Sequence, residues 1–270
     1  MTNITFRAAL AAEKPLQIIG TINAYCAKMA ERVGYRAIYL SGAGCANASY
    51  GVPDVGITTL NNVCEDVRRI TSASSLPLLV DMDTGWENPG KAVKKLCQAG
   101  AAAAHMEDQI SIKRCGHLDG KKIVSLQDMT ARIEAAVAGK IQDFYLIART
   151  DAMAIEGMDG VIQRAKAYLK AGADAVFAEA FTSLDDYKKL SDAIDAPVLA
   201  NMTEFGKSPL LTVDELKSAG VQMVLYPLSA FRAMNQAALN TFQVIRQEGT
   251  QQSLIHQMQD RKTLYDFLDY

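Results

Sequence analysis

The chain alternates short apolar runs with longer amphipathic stretches eight times over, and few folds accommodate that rhythm. The apolar runs are Gln17 to Asn23, Ala37 to Gly42, Leu76 to Asp83, Ala101 to Asp108, Phe144 to Asp151, Ala175 to Ala180, Pro197 to Thr203 and Met223 to Ser229. Continuous apolar runs of this length suit strands buried on both faces. Helix-like stretches follow them: Ala24 to Val33, Leu60 to Ile70, Lys91 to Gln98, Leu126 to Val137, Met158 to Lys170, Leu184 to Ala193, a stretch opened by Thr212, and Ala230 to Gln247. Ser125 with Asp128, and Thr212 with Glu215, have the spacing of helix N-terminal caps. A last amphipathic stretch covers about Leu254 to Leu268. No Pro/Gly/Ser linker divides the series. The expectation is a single domain over residues 1–270, a (β/α)8 barrel of the TIM type with a C-terminal helical extension. A doubly wound sheet would need a glycine-rich phosphate turn after its first strand, and Gly20-Thr21-Ile22-Asn23 is not one.

Composition narrows the class. The formal net charge is -2 and no basic stripe stands out, so nucleic acid is not an expected partner. No apolar run approaches the roughly 20 residues that span a bilayer, and the N-terminus lacks a signal-peptide apolar core. The five cysteines are odd in number and scattered without CxxC spacing, which argues against disulfides and structural zinc. A cytoplasmic enzyme without membrane contact is the expected setting.

Barrels carry their chemistry at the C-terminal ends of strands. Those ends read Ser41-Gly42, Asp81 and Asp83, His105 and Glu107, Arg149 and Asp151, Glu179, Asn201 and Thr203, and Ser229 with Arg232 just beyond. The strand starts are apolar. Asp81 and Asp83 are two apart, so on a strand they face the same way. Two such carboxylates repel unless a cation lies between them, and an all-carboxylate set suits a hard ion that keeps waters, most simply Mg²⁺. The other reading is a loop cap plus an arginine pair. Glu107 is a third carboxylate for that metal, in its outer shell. Arg149 is costly to desolvate without an anionic partner. It holds a substrate carboxylate, pairs with Asp151 or Glu179, or does both. Arg232 is a second carboxylate clamp or an exposed helix residue. Asn201 and Thr203 share a face and offer uncharged hydrogen bonds, or serve the turn.

The loop Lys113-Arg114-Cys115-Gly116-His117 packs two fixed cations, a thiol and an imidazole into five residues. Neighbouring cations favour thiolate over thiol, so Cys115 should be a stronger acid than a free cysteine. The other cysteines, Cys26, Cys45, Cys64 and Cys97, read as packing residues. A metal site, cationic clamps and an acidified thiol fit a small polyanionic carboxylate whose C–C bond is made or broken through an enolate.

KRCGH at Lys113 to His117, SGAG at Ser41 to Gly44, DMD at Asp81 to Asp83 and HMEDQ at His105 to Gln109 resemble the isocitrate lyase/phosphoenolpyruvate mutase superfamily. NMTEFG at Asn201 to Gly206 and YPLSAFRAMN at Tyr226 to Asn235 narrow the resemblance to the branch acting on methyl-branched isocitrate. The resemblance runs from about Phe6 to Tyr265. It implies cleavage of 2-methylisocitrate to pyruvate and succinate with Mg²⁺ held by Asp81 and Asp83. It implies that Ser41, Gly42 and Ala43 bind the pyruvate carboxylate, Arg149 the reacting hydroxyl, and Glu179 the far end of the ligand shell. Gly116, Asn201, Met202, Thr203, Arg232 and Arg261 fall to the substrate, the succinate half above all. Cys115 protonates the succinate carbanion, tuned by Lys113, Arg114 and His117. Tyr39 and Asp54 both stand as candidates for removing the hydroxyl proton. Phe177 and Leu225 line the pocket for the extra methyl. The family's exchange of a C-terminal helix between subunits implies a homotetramer, with the chain's stop at Tyr270 shortening that helix. The chain departs from the family at TGWENPGKAV after Asp83, at Ala43, and at AEA over Ala178 to Ala180. Isocitrate or another 2-hydroxy acid as substrate, and a non-catalytic binding barrel, are the competing readings.

Overall fold

Successive side chains of a strand point to opposite sides, so in a closed barrel one parity faces the axis and the other faces the helices. The computed structural model, which describes residues 4–111 and 120–270, follows that rule around the whole sheet. Eight parallel strands close in sequence order: β1 Leu16–Gly20, β2 Ala37–Leu40, β3 Leu78–Asp81, β4 Ala103–Glu107, β5 Tyr145–Thr150, β6 Ala175–Ala178, β7 Val198–Asn201 and β8 Met223–Tyr226. Leu16 paired with Met223 closes the ring. The helices are α1 Phe6–Ala12, α2 Ala24–Val33, α3 Gly42–Gly44, α4 Leu60–Thr71, α5 Pro89–Ala99, α6 Leu126–Ala138, α7 Met153–Lys170, α8 Leu184–Ala193, α9 Val213–Ser218, α10 Ser229–Glu248 and α11 Arg261–Leu268. The expected (β/α)8 barrel is therefore the observed one.

Parity sorts the core. Ala37, Tyr39, Leu79, Ala103, Ile147, Phe177 and Leu225 belong to one buried cluster, inside the barrel. Ile38, Leu78, Val80, Ala104 and Leu146, the intervening residues, pack with α2, α4, α5 and α6. Val176, Val198, Ala200 and Val224 pack with α7, α8 and α9.

Three local features differ from the expectation. Helix α1 was not expected, because seven residues are too few for a clear period. Thr5 caps it by accepting from Ala8 N–H at 3.2 Å. It lays Phe6 into the N-terminal end of the barrel, 5.1 Å from the Tyr145 ring. Helix α7 opens with a helical turn from Met153, set off by a kink at Gly157 (φ +67°), and beyond the kink it runs from Met158 as expected. The small-residue loop after β2 coils into α3 and then a π-helical turn, Cys45–Ser49.

Helices α10 and α11 have no buried residues. Met234, Leu239 and Phe242 of α10 face outward. Among the described residues no helix is long and apolar enough to cross a membrane.

Candidate active site

The inward parity turns polar at the C-terminal end of nearly every strand, and register brings those residues level. Asp81 lies opposite His105, Glu107 opposite Arg149, and Arg149 opposite Phe177. Above them opens a cavity of about 230 Å³, bordered by Tyr39, Ser41, Asp81, Glu107, Arg149, Glu179, Asn201 and Arg232 among others.

One wall is the carboxylate pair. Asp81 ends β3. Asp83 lies beyond the strand at φ +49°, so a left-handed residue, rather than strand alternation, turns its carboxylate back. Asp81 accepts from Gly42 N–H at 3.1 Å and from Asp83 N–H at 3.0 Å. A Cβ on Gly42 would stand 3.0 Å from Asp81 Oδ2 and 3.2 Å from Asp83 Oδ1. Both carboxylates thus converge on a position of that loop that glycine keeps clear of a side chain. Such a cradle fits a small hard cation whose other ligands are water and substrate oxygens. Among the described residues no three His, Cys, Asp or Glu side chains form a metal cluster. Glu107, the third candidate, turns its Oε2 to Arg149 at 3.3 Å.

Beneath this pair, Tyr39 Oη is 2.8 Å from His105 Nε2, which is 3.8 Å from Asp81 Oδ1. His105 is fully buried between the Tyr39 and Phe177 rings. Burial, and next the charge of Asp81, push the Tyr39 phenol well above its ordinary pKa. Asp54, its rival, borders the cavity.

The opposite wall is Arg149. Its Nε is 3.0 Å from Asp151 and 3.3 Å from Glu107, and an Nη is 3.2 Å from Glu179. Burial opposes its charge, but Asp151, Glu107 and Glu179 outweigh that and hold its pKa well above the ordinary arginine value. Its guanidinium also covers the Phe177 ring at 5.1 Å. Asn201 Nδ2 donates to both Glu179 oxygens at 3.4 Å.

The remaining expectations divide. Ser41, Ala43, Phe177, Thr203 and Leu225 border the cavity, and Gly42 lies against the carboxylate pair. Arg232 reaches it from the first turn of α10, with Glu204 at 3.6 Å and its guanidinium 5.4 Å from the centre of the Phe205 ring. Met202 does not border the cavity: its side chain is buried in the outer core, and its sulfur accepts from Leu211 N–H at 3.3 Å. Its parity points it away from the axis. Arg261 does not border the cavity either. It opens α11, which packs on the flank of the barrel against α2, and it stands exposed, apart from the cavity. Lys113, Arg114, Cys115, Gly116 and His117 lie outside the described residues. Cys26, Cys45 and Cys64 are buried and Cys97 is half-buried, and burial raises the pKa of all four.

Sequence reasoning missed Asn47, Lys121 and Glu204. Asn47 borders the cavity from the π-helical turn. Lys121 donates to Asp151 at 2.8 Å. Only the concentration of charge around each motif could have pointed to the two charged residues.

The family profile described as phosphoenolpyruvate phosphomutase matches residues 6–246. A 2-methylisocitrate lyase of Escherichia coli (strain K12) is 56% identical over 270 residues, covering 98% of this chain and 91% of its own. The crystal structure of a 2,3-dimethylmalate lyase superposes with a TM-score of 0.89 at 31% identity, over 97% of this chain and 90% of that one. A phosphonopyruvate hydrolase solved with oxalate and Mg²⁺ superposes with a TM-score of 0.84 at 28% identity, over 97% and 93%.

Proposed function

The chain belongs to the phosphoenolpyruvate mutase/isocitrate lyase family, and from that membership we propose that it is a Mg²⁺-dependent carbon–carbon lyase that cleaves 2-methylisocitrate to pyruvate and succinate. The observation that carries this reading is the cavity itself, in which a carboxylate cradle faces a buried guanidinium across about 230 Å³.

Charge supports a metal. Among the described residues, Asp81, Asp83, Glu107, Asp151 and Glu179 outnumber Arg149, Lys121 and the rim residue Arg232. A tricarboxylate enters such a site only if further positive charge meets it. A cation held in the cradle and the cationic loop at Lys113 to His117 are the two sources proposed. Mg²⁺ held by Asp81 and Asp83, directly or through water, would neutralise developing charge on the oxygens of the pyruvate half.

The chain's own residues supply the rest. Ser41 and the backbone of Gly42 and Ala43 hold the pyruvate carboxylate. Arg149 donates to the reacting hydroxyl, and Glu179 keeps Arg149 and Asn201 in place. Asp54 at the cavity's border or Tyr39 beneath the carboxylate pair removes the hydroxyl proton. The C–C bond then breaks, its electron pair passing to the succinate carbon, which Cys115 protonates before resting as a thiolate. Asn201, Thr203 and Arg232 hold the succinate carboxylates. Phe177 and Leu225 border the methyl, and one methyl is worth only about 1–3 kcal/mol in discrimination. Selectivity against isocitrate should therefore be incomplete.

The outward apolar face of α10 suits burial against further copies, and the assembly is read as a homotetramer in the cytoplasm. The test is a coupled assay on 2-methylisocitrate. Pyruvate release that stops on exhaustive chelation and returns with Mg²⁺ is the expected result. Glyoxylate from isocitrate with no pyruvate from methylisocitrate overturns the substrate, and full activity after chelation overturns the metal. Sedimentation velocity on the same preparation reads the assembly, and a monomer overturns it.

A further inference from the structure

Asp151 is fully buried and has two cationic partners. Arg149 Nε lies 3.0 Å from its Oδ2, and Lys121 Nζ lies 2.8 Å from its Oδ1. The Lys121 side chain is only 5% exposed. A buried lysine bound to a carboxylate that itself holds the substrate-binding arginine has no place in the chemistry above. Nor is its position accidental. Residues 122–124 pair back on 108–110: Ile110 N–H donates to Lys122 at 3.0 Å, Val124 N–H to Asp108 at 2.8 Å, and Gln109 faces Ile123 in an antiparallel bridge. Asp108 fixes this ribbon to the end of β5. Its carboxylate accepts from Thr150 Oγ1 at 2.7 Å, Asp151 N–H at 2.9 Å and the Tyr168 hydroxyl at 2.8 Å. Lys121 is thus held on a braced segment, within reach of Asp151.

We propose that Lys121 is a positioning residue that neutralises Asp151, leaves Arg149 charge to the ligand, and so sets the affinity for polycarboxylates. The inference rests on the polyanion-lyase reading above. Without the ammonium, Asp151 faces Arg149 with its full charge and draws the guanidinium to itself. One uncompensated negative charge is also added close to where a tricarboxylate binds, in surroundings that screen poorly. Binding weakens in consequence, while the bond-breaking step loses less.

The experiment compares Lys121→Gln, Lys121→Arg and Lys121→Gln/Asp151→Asn. KM and kcat are measured on 2-methylisocitrate with saturating Mg²⁺. The Kd for tricarballylate, a tricarboxylate with no hydroxyl to cleave, is measured by calorimetry. Lys121→Gln is expected to raise KM and Kd about tenfold or more, with kcat less affected. Lys121→Arg stays close to the parent, and the double variant regains affinity, since its neutral pair restores the charge balance. A folded Lys121→Gln with parental KM and Kd overturns the proposal, as does a double variant weaker than the single. Should Lys121→Gln fail to fold, Asp151→Asn decides: tighter tricarballylate binding supports the proposal, and unchanged or weaker binding overturns it. Parental protein that releases no pyruvate, yet whose tricarballylate affinity falls in Lys121→Gln, overturns the lyase reading and upholds this one. Parental protein that releases pyruvate beside an indifferent Lys121→Gln does the reverse.

Discussion

The two ends of the barrel are built from the same strands with the same inward parity, yet they treat charge in opposite ways. At the C-terminal mouth, Asp81, Glu107, Arg149 and Glu179 are each at most 9% exposed. At the N-terminal floor, the axis is filled by Phe6, Leu16, Ile18 and Tyr145. The floor's charges stand at its rim, where Arg7, half-exposed, bridges Asp143 at 2.6 Å and Asp174 at 2.7 Å. Backbone strain is likewise uneven. Asp83, Ala180 and Phe205 take left-handed conformations just past β3, β6 and β7, against Gln142 on the floor side. Buried charge and strained backbone are poor ways to stabilise a fold. An end that gathers both is organised around a ligand, and the end that avoids both holds the barrel together.

The largest expected effect breaks the mouth. Arg149→Met removes the guanidinium that Glu107, Asp151 and Glu179 share and so takes one positive charge from among three buried carboxylates. We expect kcat/KM on 2-methylisocitrate to fall by roughly a thousandfold or more. Retention of a tenth of the parental kcat/KM in folded Arg149→Met would show that the mouth's charge is structural after all. Next comes the floor. Phe6→Ala withdraws a fully buried ring from Tyr145 and should cost about 3–5 kcal/mol in denaturant unfolding. At temperatures where the variant is folded, KM and kcat should stay within about twofold of the parent, because no contact of Phe6 reaches the cavity. A kinetic change without lost stability would erase the distinction between the ends.

The barrel was legible because eight apolar runs leave few alternatives, and the mouth was legible because parity marks inward residues by number alone. Asp81, His105, Glu107, Arg149, Glu179 and Asn201 are all odd-numbered in strands or directly beyond them, and all face the axis or the cavity. The same parity argues against Met202, which the resemblance to relatives had placed at the substrate. Helix α1 was illegible because it is stabilised by plugging the floor and not by any period of its own. Lys121 was illegible because its role depends on a ribbon formed with residues eleven or more positions earlier in the chain. Arg261 belongs to none of the motifs quoted from the sequence, and it opens α11, which docks on α2.

The smallest effect separates the ends by their response to acid. Burial pushes the Asp174 carboxyl up, but the Leu146 N–H, Lys140 and Arg7 outweigh it and hold the group below its usual range. A depressed folded pKa means that the ionised form stabilises the fold above the unfolded value of about 4, and that this contribution is lost as pH falls through the folded value. Near the mouth Asp108 has the opposite sign. Burial, its largest influence, raises its pKa, so its contribution is present in acid and is lost as pH rises through the folded value. Asp174→Asn should therefore cost about 1–2 kcal/mol at neutral pH and progressively less toward about pH 3, with KM at neutral pH unchanged. Urea unfolding of parent and variant across that range measures it. A penalty that stays constant down to about pH 3 would mean that Asp174 works through shape and hydrogen bonding alone, and the floor would then owe nothing to its rim of charge.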